Sequence, residues 1–209
     1  MLGRPVEERS SAFAMGSESL FSSRLEHAVR LSAAWHGDQV RKGVRTPYIT
    51  HPMAVSLILA RLGFEETTLV AALLHDTVED TPATLDDVER EFGAEARALV
   101  AGCSEQKLDD EGRPLPWSVR KRSHLERLAG ADRRIRAIKL ADQLHNLKSM
   151  MGDLEAGVDI WSLFHADRPA WLAHARHLIN VLAADEVTGS PLHLLASTCR
   201  KALDRLERV

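Results

Sequence analysis

The stretch LVAALLHDTVED, residues 69–80, joins an uninterrupted apolar run to a cluster of ionisable side chains. Periodicity alone would allow the apolar part, residues 69–74, to be a buried strand. Its Ala and Leu content and the length of the segment favour a helix instead, and we predict this helix over residues 65–80. His75 and Asp76 would therefore lie where this buried helix reaches the edge of the core.

Helical signals continue on both sides of this stretch. Apolar residues recur at steps of three and four, and Gly or Pro marks most of the predicted ends. Thr84 and Asp87 form a predicted capping pair for a short helix that ends at Gly93. We find no hairpin signal and no alternating strand pattern, so the predicted fold class is all-α, a compact helical bundle. The other predicted helices cover residues 19–35, 51–63, 94–102, 117–129, 133–151, 168–184 and 191–208, with a short one from Asp159.

Composition places the chain among ordinary globular proteins. Its 209 residues are 44% hydrophobic and 27% charged, which suits one domain over residues 17–209 after a mobile N-terminal tail, residues 1–16. The formal net charge of −3 argues against a nucleic-acid partner. The chain has no apolar run of the roughly 18 residues that span a bilayer, so we expect no membrane partner. Cys103 and Cys199 form no metal-binding spacing, and as buried free thiols they favour a cytoplasmic location.

His75 and Asp76 are candidates for metal binding. A buried imidazole or carboxylate left without a partner costs roughly 1–3 kcal/mol. A divalent metal satisfies both groups at once, and this ligand pair suits Mn²⁺, Fe²⁺ or Zn²⁺ better than Ca²⁺. The alternative is a helix end where both side chains form ordinary caps.

Glu79 and Asp80 follow His75 and Asp76 at a spacing of four, which places each pair on one side of a helix, one turn apart. Carboxylates at this distance from a metal are placed for proton transfer to or from the attacking water. The alternative is a solvated acidic helix end before Pro82.

His51 and Asp142 complete a plausible set of two His and two Asp ligands. Both have apolar neighbours in the sequence, but their spacing does not show that the ligands meet in space. The loop with Arg41, Lys42 and Arg45 is a local basic patch in an acidic chain, and such side chains bind phosphate. A solvated loop is the alternative.

Three motifs carry a resemblance to a known family: RKGVRTPYITHP (41–52), LLHDTVEDT (73–81) and IKLADQLHNL (138–147). In this order and spacing, the chain resembles the HD superfamily over roughly residues 20–185. The resemblance is closest to the (p)ppGpp hydrolase domain of RelA/SpoT-type proteins and to the stand-alone small alarmone hydrolases.

The resemblance implies roles for specific residues. One metal ion, usually Mn²⁺, would be bound by His51, His75, Asp76 and Asp142. Glu79 and Asp80 match the pair that positions or deprotonates the attacking water. The residues that match the nucleotide site are Arg41 and Lys42, with Asn146 near the ribose; Tyr48 is expected to pack the loop. Gln143 departs from the family pattern, which commonly has Arg there.

The resemblance also implies an activity: hydrolysis of the 3′-diphosphate of the guanine nucleotide alarmone (p)ppGpp to GDP or GTP and pyrophosphate. One alternative is an HD phosphohydrolase of another 2′- or 3′-phosphorylated nucleotide such as NADPH. Another is a non-catalytic HD domain that binds a nucleotide and regulates a partner. We expect a monomer or homodimer without an alarmone synthetase domain.

Overall fold

The computed structural model describes residues 21–109, 111–164 and 166–209, and the predicted tail over residues 1–16 lies outside them. The predicted all-α class is confirmed, because the described residues contain helices and two isolated β-bridges but no strand. A 3₁₀ turn covers Trp161–Leu163. The helices are α1 (Ser23–His36), α2 (Thr50–Arg61), α3 (Glu66–Leu74), α4 (Thr77–Asp80), α5 (Leu85–Phe92), α6 (Ala94–Cys103), α7 (Trp117–Ala129), α8 (Arg133–Glu155), α9 (Arg168–Leu182) and α10 (Pro191–Leu206).

Helices α3 and α8 form the centre of the bundle. α3 packs against α1, α2 and α6, while α8 packs against α2, α9 and α10. Residues 70–74 of α3 are all buried, as expected of a helix that is apolar on every side. Leu140 and Leu147 bury the face of α8 that meets the core. The two helices that carry the central motifs are therefore held on several sides.

Side-chain caps fix where several helices begin. The predicted capping box at α5 is confirmed: Thr84 accepts from the Asp87 N–H, and the Asp87 carboxylate accepts from the Thr84 N–H. The Glu65 carboxylate accepts from the backbone N–H groups of Thr67 and Thr68 at the start of α3. These bonds satisfy donors that the first turn of a helix leaves without a partner.

The single helix predicted over residues 65–80 is wrong, because the chain breaks at His75 and Asp76 into α3 and α4. His75 Nδ1 bonds the Ala72 carbonyl at 2.8 Å, and the Thr77 hydroxyl donates to the Leu74 carbonyl at 2.7 Å. Side chains that take the carbonyls of the last turn compete with the backbone N–H groups that would continue the helix. The break turns His75 and Asp76 out of the helical register.

Two boundaries also differ near the end of α8. The helix extends past the predicted end at residue 151 to Glu155, and Gly157, with φ of +81°, follows it. Instead of a short helix from Asp159 there is one 3₁₀ turn, in which Asp159 accepts from the Ser162 hydroxyl and N–H. Within the described residues, no helix is both long and apolar enough to cross a membrane.

Candidate active site

Four side chains from three parts of the chain converge below a cleft. His51 lies in the first turn of α2, His75 and Asp76 form the break between α3 and α4, and Asp142 lies in the middle of α8. One ligand atom each from His51, His75 and Asp142 lie within 4.8 Å of one another. Asp76 Oδ2 lies 3.4 Å from His51 Nε2 and 3.2 Å from His75 Nε2. The structure thus brings together all four residues that the sequence singled out as metal ligands, which we call the ligand cluster.

Both histidines present Nε2 to the ligand cluster because the other ring nitrogen is already used. His75 Nδ1 lies 2.8 Å from the Ala72 carbonyl, which can only accept, so Nδ1 carries the proton. His51 Nδ1 lies 2.8 Å from His145 Nδ1. Burial, together with the charges of His51 and Arg41, lowers the pKa of His145 to about 4, so its neutral ring can accept from His51. In the neutral form of each ring, Nε2 therefore carries the lone pair that a metal ion would take.

The aspartates are also held by second contacts. The Tyr48 hydroxyl donates to Asp76 Oδ2 at 2.7 Å. Lys139 Nζ donates to Asp142 Oδ2 at 2.7 Å, and Asn146 Nδ2 donates to Asp142 Oδ1 at 2.6 Å. Outer contacts of this kind fix the orientation of metal ligands.

The charge balance of the ligand cluster fits a cation. Burial opposes ionisation of Asp142, but Lys139 and His51 hold its pKa well below the ordinary value. Burial acts to lower the pKa of His75, yet the carboxylates of Asp76 and Asp142 raise it to about 9, so an ion bound there would take the place of a proton on Nε2. His75 Nε2 is buried and makes no hydrogen bond to the described residues. Two carboxylates and two imidazoles, one of them with this unpaired nitrogen, match the donor set of a divalent transition metal.

The predicted acid pair lies on α4 but in two different environments. The Glu79 side chain is 15% exposed, whereas that of Asp80 is 38% exposed. Burial raises the pKa of Glu79, although Lys139 and the Glu105 N–H act against this shift. Lys107 Nζ donates to Asp80 Oδ1 at 2.7 Å. Glu79 is therefore suited to exchange a proton, while Asp80 is paired with Lys107.

A cleft of about 910 Å³ opens beside the ligand cluster, and Glu79 and Asp80 line it. Its basic side includes Arg41, whose guanidinium donates to Asn146 Oδ1 at 2.6 Å. Lys42 also lines it and donates to the Leu163 carbonyl at 3.3 Å. The three residues predicted to bind substrate therefore share one cleft with the acid pair.

The loop that carries Arg41 and Lys42 is anchored to α8. Asp153 Oδ1 accepts from the Val44 N–H at 3.2 Å. Gly43 has φ of +81°, and a Cβ atom there would collide with the Asp153 carboxylate. Only glycine combines this backbone conformation with so close an approach. The basic residues are thus fixed relative to Asp142, on the same helix.

The sequence missed several roles at this site. Lys139 is 12% exposed and donates to the carboxylate of Asp142, three residues later on the same helix. That spacing on one helix face was a usable signal. Tyr48 was expected only to pack the loop, and its bond to Asp76 had no signal in the sequence. Glu105, whose N–H donates to Glu79 Oε1 at 2.7 Å, was also missed. Arg45 is exposed and lies outside the lining of the cleft.

Comparison with known proteins identifies the family. The family model described as HD domain matches residues 28–168. The chain belongs to the HD domain family. The matched range begins in α1 and ends at the start of α9, so the HD domain contains the ligand cluster and the acid pair.

Relatives of this HD domain differ greatly in length. MESH1 of Mus musculus, a guanosine-3′,5′-bis(diphosphate) 3′-pyrophosphohydrolase, is 43% identical over 139 residues, which cover 65% of this chain and 73% of that protein. A GTP pyrophosphokinase of Streptomyces coelicolor is 43% identical over 128 residues, and the chain spans only 15% of its length. A solved structure of a metazoan ortholog of SpoT, described as hydrolysing ppGpp, has a TM-score of 0.68 and 32% identity. That match covers 86% of this chain and 95% of the solved one.

Proposed function

We propose that the chain is a metal-dependent (p)ppGpp 3′-pyrophosphohydrolase. The observation that carries the proposal is the ligand cluster beside a cleft that is lined by both acidic and basic side chains. The names of the mouse relative and the solved structure agree with this activity. In the reaction, the oxygen of water bonds to the phosphorus attached to the 3′-oxygen, and the bond between these two atoms breaks. GDP or GTP and pyrophosphate leave.

His51, His75, Asp76 and Asp142 would hold one divalent ion, and we propose Mn²⁺. When bound, the ion neutralises charge on the diphosphate and lowers the pKa of the attacking water. The chain itself fixes the ligands: His145 and the Ala72 carbonyl set the two imidazole tautomers. Tyr48 and Lys139 orient the two aspartates.

Glu79 is the group proposed to accept a proton from the attacking water. Its buried carboxylate has a raised pKa and accepts from the Glu105 N–H through Oε1, and we propose that Oε2, which lies 3.6 Å from Lys107 Nζ, accepts from the water. A base whose pKa is raised toward the working pH transfers protons efficiently in both directions. Glu79 can therefore also return the proton toward the 3′-oxygen as that bond breaks.

Arg41, Lys42 and Asn146 are proposed to bind the nucleotide. Guanidinium and ammonium groups neutralise phosphate oxygens, and Arg does so with two parallel hydrogen bonds. The Asn146 amide bonds both Arg41 and Asp142, so it links the nucleotide side of the cleft to the ligand cluster.

The test is to incubate Mn²⁺-loaded protein with ppGpp and to identify the products by chromatography and phosphorus NMR. We expect GDP and pyrophosphate in equal amounts. Orthophosphate from a 2′- or 3′-monophosphate such as NADPH, without turnover of ppGpp, would favour the alternative substrate. Binding of nucleotide without any product would indicate the regulatory alternative. The cytoplasmic location and the monomeric or dimeric state remain predictions.

A further inference from the structure

The acid pair lies on a helix that is too short to fix its own position. α4 consists of Thr77–Asp80, a single turn. One helical turn closes few hydrogen bonds for the backbone freedom that it loses, so it is unstable by itself. The orientation of Glu79 and Asp80 must therefore be imposed by contacts from other segments.

Those contacts come mainly from the loop after α6. The Glu105 N–H donates to Glu79 Oε1 at 2.7 Å. Lys107 Nζ donates to the Glu79 carbonyl at 2.9 Å and to Asp80 Oδ1 at 2.7 Å. It also lies 3.6 Å from Glu79 Oε2. A single ammonium group thus contacts both acids of the pair and the backbone that joins them.

The loop is itself anchored to α7. The Glu105 side chain is only 8% exposed and pairs with Lys121 Nζ at 2.5 Å and Arg120 Nε at 3.7 Å. The Arg127 guanidinium donates to the Ser104 carbonyl at 2.8 Å. Because Glu105 is buried and doubly paired, its backbone N–H has a fixed direction toward Glu79.

Lys107 does not occupy a substrate-binding position. Arg120 and Lys121 are among the described residues that line the cleft, whereas Lys107 is not. All described polar contacts of its ammonium group are to Glu79 and Asp80. Lys107 therefore contacts the acid pair without lining the cleft.

We infer that Lys107 is a positioning residue that holds Glu79 and Asp80 in place beside the ligand cluster, and that Glu105 anchors the loop of Lys107 to α7. This inference rests on the proposed function, in which Glu79 handles the proton. Lys107 should then affect the rate of the chemical step, while substrate affinity and metal binding depend on other residues.

The experiment uses Mn²⁺-loaded full-length Lys107→Met and Lys107→Arg, with the exposed Lys201→Met on α10 as a matched control. For Lys107→Met we expect kcat to fall by about 10- to 100-fold, the range typical of supporting residues, with KM and metal content within about twofold. Lys107→Arg should recover most of the rate, because a guanidinium can reach the same acceptors. In a Glu79→Gln background, Lys107→Met should cost less than about threefold, since residues that act through each other are not additive.

Hydrogen exchange of residues 76–81 provides a readout that does not depend on activity. We expect faster exchange in Lys107→Met there and unchanged exchange in α2 and α8. Wild-type protein that does not hydrolyse ppGpp would refute the proposed function alone, and exchange would still test the positioning. Unchanged exchange, or a kcat in Lys107→Met above half that of the wild type, would overturn the inference.

Discussion

The ligand cluster and the basic side of the cleft are built in opposite ways. His51 and His75 are about 1% exposed, and each ligand side chain is held by a second bond from another residue. Arg41 and Lys42 are long side chains on a loop, and their cationic ends bond protein acceptors, Asn146 Oδ1 and the Leu163 carbonyl. The ligand cluster is therefore ready for an ion, whereas a phosphate must replace existing contacts on the basic side.

This contrast separates the effects expected of substitutions. Substitution of a buried side chain of the ligand cluster should abolish function altogether. The polar group that bonded it stays buried without a hydrogen-bond partner, which is costly. The protein contacts of a half-exposed cation compete with its contacts to substrate. Such a cation therefore contributes to substrate binding only the difference in free energy between its hydrogen bonds to substrate and its hydrogen bonds to protein. Substitutions in the ligand cluster should lower kcat and metal content, whereas substitutions on the basic side of the cleft should raise KM.

The largest effect is expected for Asp142→Ala, which removes a proposed metal ligand and the acceptor of the buried Lys139. Metal content should be lost, and turnover should fall by more than about a thousandfold, because the ion supplies several kcal/mol and each 1.36 kcal/mol is tenfold in rate. Metal analysis and pyrophosphate release measure both. Asp142→Asn, which keeps an acceptor for Lys139, separates loss of metal from unfolding, and Asp204→Ala on α10 is the surface control. Activity retained in Asp142→Asn would remove this residue from the ligand set.

Glu79→Gln should give the next largest effect. The amide oxygen keeps an acceptor for the Glu105 N–H but cannot take a proton. We expect kcat to fall by about 100-fold or more with metal content unchanged, the range for loss of a general base. The exposed Glu126→Gln on α7 is the isosteric control. Normal turnover in Glu79→Gln would show that the water is deprotonated elsewhere.

The sequence predicted which residues form the site better than it predicted the contacts that hold them. His75, Asp76 and Asp142 stand out as polar groups in apolar helices, and the family resemblance supplied their common role. Periodicity defines the faces of a helix but not which faces meet, so the Tyr48–Asp76 and Glu105–Glu79 bonds, 28 and 26 residues apart in sequence, were inaccessible. The break after Leu74 was missed because helix propensity ignores side chains that compete for backbone carbonyls.

Arg41→Ala tests the basic side of the cleft. Substrate must displace the bond from Arg41 to Asn146, so the net contribution of the guanidinium is about 1.5 kcal/mol, typical of a hydrogen bond to a charged group. KM should rise roughly tenfold, with kcat and metal content within about threefold. Arg45→Ala is the matched control, because Arg45 lies in the same loop but outside the lining of the cleft. An equal rise in both variants would mean that only the charge of the loop matters.

The smallest effect is expected at Gln143, where the family pattern commonly has Arg. The residue is 8% exposed and lines the cleft, and its buried Nε2 has no hydrogen-bond partner among the described residues. A buried donor without a partner costs about 1–3 kcal/mol, whereas an apolar side chain of similar shape has no such cost. Gln143→Met should therefore raise the free energy of unfolding by about 1 kcal/mol, which corresponds to roughly 2–4 °C in Tm for a chain of this size.

Denaturant and thermal unfolding of Gln143→Met, beside the exposed control Gln106→Met, measure this effect. The ligand cluster and the acid pair are unchanged in both variants, so kcat should stay within about twofold. A rise in KM confined to Gln143→Met would show that the amide donates to the nucleotide, which would place Gln143 with Arg41 among the substrate contacts. A loss of stability at Gln143 would mean that the amide is already satisfied in the folded protein, because only an unsatisfied donor is improved by its removal.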